Sequence, residues 1–127
     1  MAAYNSCRSI PAIAGADLSA AMYKFGVYSS GNIVVASVAQ SIVDGIIGEG
    51  VASGGSFPLV VPDGGIAMVM AGASVAVDAL VATDASGLAI TYVEAVQNTA
   101  IGKALKAASA NDIFPIQFVH KKTGGGS

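Results

Sequence analysis

The chain has 127 residues, 54% hydrophobic and 6% aromatic, with 11% charged and a formal net charge of −2. Soluble domains carry roughly 25% charged residues, so this low charge points to a surface covered by other subunits or a larger body, with an Ala- and Gly-rich monomer as the alternative. The length fits one domain, and with no basic patch direct nucleic-acid binding is not expected.

Met1 to Gly15, MAAYNSCRSIPAIAG, shows neither a helical nor a strand period and reads as an extended N-terminal arm. Tyr4, Ile10 and Ile13 are apolar groups that such an arm has to bury, either by docking elsewhere or by folding back on its own domain. Cys7 is the single cysteine and forms no internal disulfide; an incidental thiol is the expected role. No basic leader or continuous hydrophobic stretch is present, so no secretory signal is expected.

Asp17 to Met22, DLSAAM, opens with an N-cap residue and reads as a single helical turn. Tyr23 to Ala36, YKFGVYSSGNIVVA, then alternates with period two around Ser29-Ser30-Gly31-Asn32, the grammar of a β-hairpin. Tyr23, Phe25 and Val27 share one strand face as core residues, and Ile33 and Val35 continue that face after the turn.

Ser41 to Val51 reads as a strand whose Gly45, Gly48 and Gly50 mark bulges or bends. Gly48-x-Gly50 lacks the third glycine and following helix of a phosphate loop. Ser53 to Ser56 is a tip, Phe57 to Val61 a strand and Pro62 to Gly65 a turn. Ile66 to Ala71, IAMVMA, is a buried strand with Met68 and Met70 as core filler. Although mean hydropathy is +0.67, the apolar stretch from Ile66 to Val77 is too short to span a bilayer as a helix, so no membrane partner is expected.

Asp78 to Tyr92, DALVATDASGLAITY, gives a second hairpin, with strands Leu80 to Thr83 and Leu88 to Tyr92 around Asp84-Ala85-Ser86-Gly87. Glu94 to Asn98 is a polar connector. Ala104 to Ala110 reads as strand and loop, and His120 to Ser127 as a strand end running into a glycine-rich tail. The segments after the two hairpins also correspond: Ile47-Gly48 answers Ile101-Gly102, and Phe57-Pro58-Leu59 answers Phe114-Pro115-Ile116. A hairpin, an Ile-Gly step and a Phe-Pro step in the same order argue for a pseudo-duplicated β unit; two copies are too few for a solenoid. The expected fold is all-β: a small β-barrel or sandwich of two pseudo-repeated hairpin units, with the arm at residues 1–15, the β-rich domain at 16–120, a tail at 121–127 and at most one or two short helical turns.

Catalytic signals are sparse. There is no G-x-S-x-G elbow, and the eight acids fall mostly at turns, caps or loop edges. One His and one Cys make a poor case for a metal or a nucleophile. No enzyme and no cofactor are expected.

With those residues in view, the chain resembles the capsid decoration (head decoration or cement) proteins of tailed phages. The resemblance is carried by Gly15 to Phe25 (GADLSAAMYKF) followed by a hairpin, by Ile46-Ile47-Gly48, by the glycine-flanked strand Gly65 to Gly72, by the hairpin Asp78 to Ile90 and by Ala100 to Leu105 (AIGKAL). Asp78 departs from the Gly-Asp turn expected there. The resemblance implies a virion protein on the outer surface of the capsid that binds the major capsid protein, cross-links its neighbours and assembles as a homotrimer. The arm residues Tyr4, Arg8, Ile10 and Ile13 are then the candidate capsid contacts. A host-surface or glycan-binding β module is the alternative from a different class; a small hydrolase would need a cluster that this sequence does not assemble.

Overall fold

The computed structural model describes residues 8–61, 65–94 and 99–122, with the side chains of 119–122 excepted. Ten strands lie in chain order: β1 (Ser9–Ile13), β2 (Phe25–Ser29), β3 (Asn32–Val35), β4 (Gly45–Ile47), β5 (Ser56–Val60), β6 (Ile66–Met70), β7 (Leu80–Thr83), β8 (Ala89–Thr91), β9 (Thr99–Ala104) and β10 (Ile113–Lys122). They form two packed five-stranded sheets, ordered β1-β5-β4-β2-β3 and β6-β10-β9-β7-β8, with antiparallel pairing between the named strands of each. Shifting every label of the first order by five gives the second, so the chain is one β unit built twice.

The duplication extends to single backbone bonds. Gly15 N–H donates to Ile33 O at 2.7 Å, and Gly72 N–H to Ala89 O at 2.8 Å. Tyr23 N–H reaches Ile47 O and Asp78 N–H reaches Ala104 O, both at 2.8 Å. Tyr23 and Asp78 carry φ of 71° and 68°, and the matching turn residues Gly54 and Asn111 carry 84° and 72°. Left-handed backbone at a bulky residue is costly, so finding it at equivalent positions means that the unit requires it. In each unit a parallel bridge, Ala14 to Ile33 and Ala71 to Ala89, also draws the two edge strands together at one end, so each sheet curls around its own interior.

Both hairpins form where period-two patterning and turn residues coincide. Ser29 pairs with Asn32, and Ser30 and Gly31 between them have φ of 53° and 88°, the two-residue turn whose twist suits a hairpin. In the second, Asp84 Oδ1 accepts from Ser86 N–H at 2.7 Å and Leu88 N–H at 2.9 Å, holding a longer loop. The Phe-Pro step also falls at equivalent places, with Phe57 opposite Ala12 and Phe114 opposite Val69. Pro11 faces Pro58 in the ladder, a position that can make no hydrogen-bonded pair because neither residue has an N–H.

The interior of the first unit is Ala12, Ala14, Leu18, Ala21, Ile33, Ile47, Phe57 and Leu59. The second unit places Val69, Ala71, Val75, Ala89, Ala104, Phe114 and Ile116 at the corresponding positions, and they merge with Phe25, Ala36, Val43 and Ile46 from the first unit into one cluster that spans both. Around β2 and β4 the first sheet is therefore buried on both faces, with Phe25 and Ile46 on one side and Ile33 and Ile47 on the other.

Several expectations change on this frame. Ile33 and Val35 lie on the opposite face from Phe25, because Tyr28 pairs with Ile33 and Gly26 with Val35. Tyr23 is half-buried, whereas Phe25 is fully enclosed. Met68 is 42% exposed and Met70 half-buried; Ala67 and Val69 take the inner face, where little room is left. Asp17 to Met22 forms no helix: Ala21 N–H bonds Leu18 O and Lys24 N–H bonds Ala21 O, two consecutive tight turns. Six residues cannot repay helix nucleation without a packed partner. The strand expected over Ser41 to Val51 shrinks to Gly45–Ile47. Its glycines serve close approach of backbones and not bends: a Cβ at Gly45, Gly48 or Gly50 would stand 2.6, 2.7 or 2.5 Å from a carbonyl oxygen. Of the turn at Pro62 to Gly65 and the connector at Glu94 to Asn98, residues 62–64 and 95–98 lie outside the described residues.

Candidate functional site

Of the four candidate arm residues, Ile10 and Ile13 lie on opposite faces of one strand. Tyr4 lies outside the described residues, as does Cys7. Arg8 is exposed and its carbonyl accepts from Val61 N–H at 3.0 Å. From Ser9 on, the N-terminal stretch is β1, paired antiparallel with β5. Ile10 is half-buried and packs against the first unit's interior, while Ile13 turns outward and is 43% exposed. Ser9, Ile10 and Pro11 line a groove of about 320 Å³ with Ser56, Phe57 and Pro58.

Four of the acidic side chains engage the backbone. Besides Asp84, Asp44 Oδ2 accepts from Tyr28 N–H at 2.7 Å and Asp112 Oδ2 from Ser109 N–H at 2.9 Å. Asp17 Oδ1 accepts from the Ser19 hydroxyl at 2.7 Å and the Ser19 N–H at 3.1 Å. These bonds, the hydroxyl first, hold its carboxyl below the ordinary value, against a small opposing effect of desolvation. Asp78 faces Lys103 at 3.6 Å on the surface, with both side chains largely exposed, a pair of small energetic worth. Among the described residues no three His, Cys, Asp or Glu side chains gather as a metal site. The side chain of His120, on β10, is not among those described.

What the surface does hold is apolar. Ile13, Met22, Tyr28, Val38, Ile42, Met68, Val77, Val93 and Ile113 are all exposed large hydrophobics. Scattered singly, such groups need no explanation; on a chain with so few charges they are surface available for contact.

The two units meet at a joint that combines packing with backbone bonds. Phe25, fully buried, donates its N–H to Gly87 O at 2.8 Å, and Met70 N–H donates to Tyr23 O at 3.1 Å. Gln40, at φ 62°, inserts into the second unit. Its N–H donates to Thr83 O at 2.8 Å, its carbonyl accepts from Thr99 N–H at 2.9 Å and its Oε1 from Val93 N–H at 3.1 Å. Thr83, also fully buried, satisfies its hydroxyl on Asp84 O at 2.9 Å. Sequence reasoning missed the joint: its one polar signal, Gln40, looks like an ordinary loop residue.

No protein-family model matches the chain. No curated protein matches it either. Among solved structures, the chain is similar to the N base of head fiber gp8.5 of bacteriophage phi29, with a TM-score of 0.73 and 21% identity over 90% of this chain and 95% of that one. At that identity the likeness is one of fold, and it covers both units.

Proposed function

We propose that the chain is a structural protein of a phage virion, seated on the outer surface of the head, where it binds the major capsid protein and cross-links its neighbours as a homotrimer. The observation that carries this reading is the shared fold: almost the whole of both chains superimposes on a base named for a phage head fiber. The charge-poor surface with its exposed apolar groups supports it, since a protein held in a large assembly needs less hydration than a free monomer.

A clip of this kind works by mass action. Binding only the assembled shell stabilises that state, and many weak contacts repeated over the surface add through multivalency. Tyr4 and Arg8, ahead of β1, are the arm groups assigned to the capsid in this reading. The test is co-sedimentation of the purified protein with phage heads that lack it. The protein is expected in the pellet with the heads, and a chain starting at Arg8 is expected to pellet less. Protein left in the supernatant would refute the reading, and binding of glycans by the isolated protein would favour a host-surface module instead.

A further inference from the structure

The joint between the units has a direction. Were the units related by a two-fold axis, each bond across it would occur twice with equivalent residues exchanged. Phe25 N–H to Gly87 O would be matched by Leu80 N–H to the Ser30–Gly31 tip, and Met70 N–H to Tyr23 O by Ile13 N–H to Asp78 O. Neither counterpart occurs. The joint is heterologous: the first unit presents a leading face built on Tyr23, Phe25, Gln40 and Ile46, and the second receives it on a trailing face built on Met70, Thr83 and Thr99. A repeated unit possesses both faces twice, so each chain keeps one trailing face on its first unit and one leading face on its second, the latter described at Asp78, Leu80 and Lys103, while the part that answers Gln40 lies outside the described residues.

The residues on the uncovered trailing face are unlike those of a strand meant for water. The position of Met70 is taken by Ile13, that of Thr83 by Tyr28 and that of Thr99 by Ile42, which precedes Gly45 by three residues as Thr99 precedes Gly102. Ile13, Tyr28 and Ile42 are 43%, 47% and 60% exposed, so the uncovered copy carries larger apolar groups at two positions where the covered copy has threonine. The ladder also turns the Ile13 N–H away from β5, as it turns the Met70 N–H away from β10, since Ile13 shares parity with Pro11, which makes no hydrogen-bonded pair. Ile46 and Ile101 both belong to the cluster that spans the joint; their equivalents are Lys103 on the uncovered leading face, beside Asp78 at 3.6 Å, and Asp44 on the uncovered trailing face, where its Oδ2 accepts from Tyr28 N–H, so that a Lys–Asp pair meets a carboxylate.

From this we infer that the chain associates head to tail with a second copy of itself, the leading face around Asp78, Leu80 and Lys103 of one copy seating on Ile13, Tyr28 and Ile42 of the next, as the two units within each chain already do. The inference takes up the oligomer of the reading above and specifies its contact; it does not depend on the capsid. In a trimer so closed, six β units alternate between joints inside a chain and joints between chains.

The test is the mass of the full chain in solution by analytical ultracentrifugation across a concentration series. The wild type is expected to sediment as a multiple of the chain mass. Ile42→Glu, at an exposed site, is expected to raise the concentration needed for association by more than about tenfold, while its thermal melt matches wild type at concentrations where both are dissociated, because a carboxylate is buried unpaired on association. A wild type that stays a single chain throughout, or an Ile42→Glu variant that associates like wild type, would overturn the inference. Failure of the oligomer with intact head binding refutes this contact alone; an intact oligomer that ignores heads refutes the virion reading alone.

Discussion

Substituting alanine for Gly45 and for Gly102 tests whether the two units are packed on one plan. A Cβ at Gly45 would stand 2.6 Å from Val60 O and 2.8 Å from Leu59 Cγ; at Gly102 it would stand 2.8 Å from Gln117 O and 2.9 Å from Ile116 Cδ1. The obstacle in each case is the backbone of the neighbouring strand, so β5 or β10 must retreat by roughly half an ångström inside a close-packed sheet. Overpacking of this sort costs about 1–3 kcal/mol, and a stretched ladder bond adds about 1 kcal/mol. The lower backbone entropy of unfolded alanine offsets about 0.5–1 kcal/mol, leaving a net loss of about 1–3.5 kcal/mol at each site. Gly31→Ala is the control: it has φ of 88° and nothing within 4 Å of the added carbon, so it meets only the left-handed penalty, a net of about 1 kcal/mol or less. At about 3–5 °C per kcal/mol for a chain of this size, thermal melts by circular dichroism at one fixed protein concentration separate the two classes. A shared packing plan is ruled out if either Gly45→Ala or Gly102→Ala melts no lower than Gly31→Ala.

Phe25→Ala empties the centre of the joint and should cost about 3–5 kcal/mol in chemical denaturation, while Tyr28→Ala, at a surface position, should stay within about 1 kcal/mol of wild type in the dissociated chain. Asp84→Ala removes the acceptor of two backbone N–H groups in the second hairpin and should cost about 1.5–3 kcal/mol by the same assay; no measurable loss would mean that the loop holds itself. The Asp17 carboxyl sits below its ordinary 3.8 in the folded chain, so its contribution is present above that pH and lost as pH falls through the lower folded value. Urea midpoints should therefore show wild type more stable than Asp17→Ala at about pH 7, with the gap narrowing at about pH 3; a gap that does not change with pH would assign the effect to something other than the charge.

The hairpins were legible because two independent signals, period-two patterning and turn residues, fall together at Ser30-Gly31 and at Asp84 to Gly87. The duplication was legible too, but its register was only partly so. Phe57-Pro58 does answer Phe114-Pro115, whereas Ile47-Gly48 does not answer Ile101-Gly102: Gly48 and Leu105 both donate to a proline carbonyl, of Pro58 and Pro115, so the true partner of Gly102 is Gly45. A shared dipeptide tracks letters, while equivalence is set by which backbone lies against the residue. Side choice failed where a strand offers no polar face, as in IAMVM, and where both faces are buried, as at Phe25 and Ile33. Asp17 was recognised as a capping residue but caps a turn, because Tyr23 has to enter left-handed backbone to meet Ile47 and a helix running through Met22 would not deliver it there. The joint was illegible since its hydrogen bonds are made mostly by main-chain groups, which every sequence possesses, and its packed side chains follow the same strand alternation as any core residue.

Electron cryomicroscopy of phage heads carrying the protein would show at once whether it is a capsid clip. Density is expected on the outer surface of the head, shaped to the paired five-stranded units, touching the major capsid protein and meeting a neighbouring copy through the face that bears Ile42. Heads whose outer surface shows no such density, with the protein bound elsewhere or absent, would rule that role out.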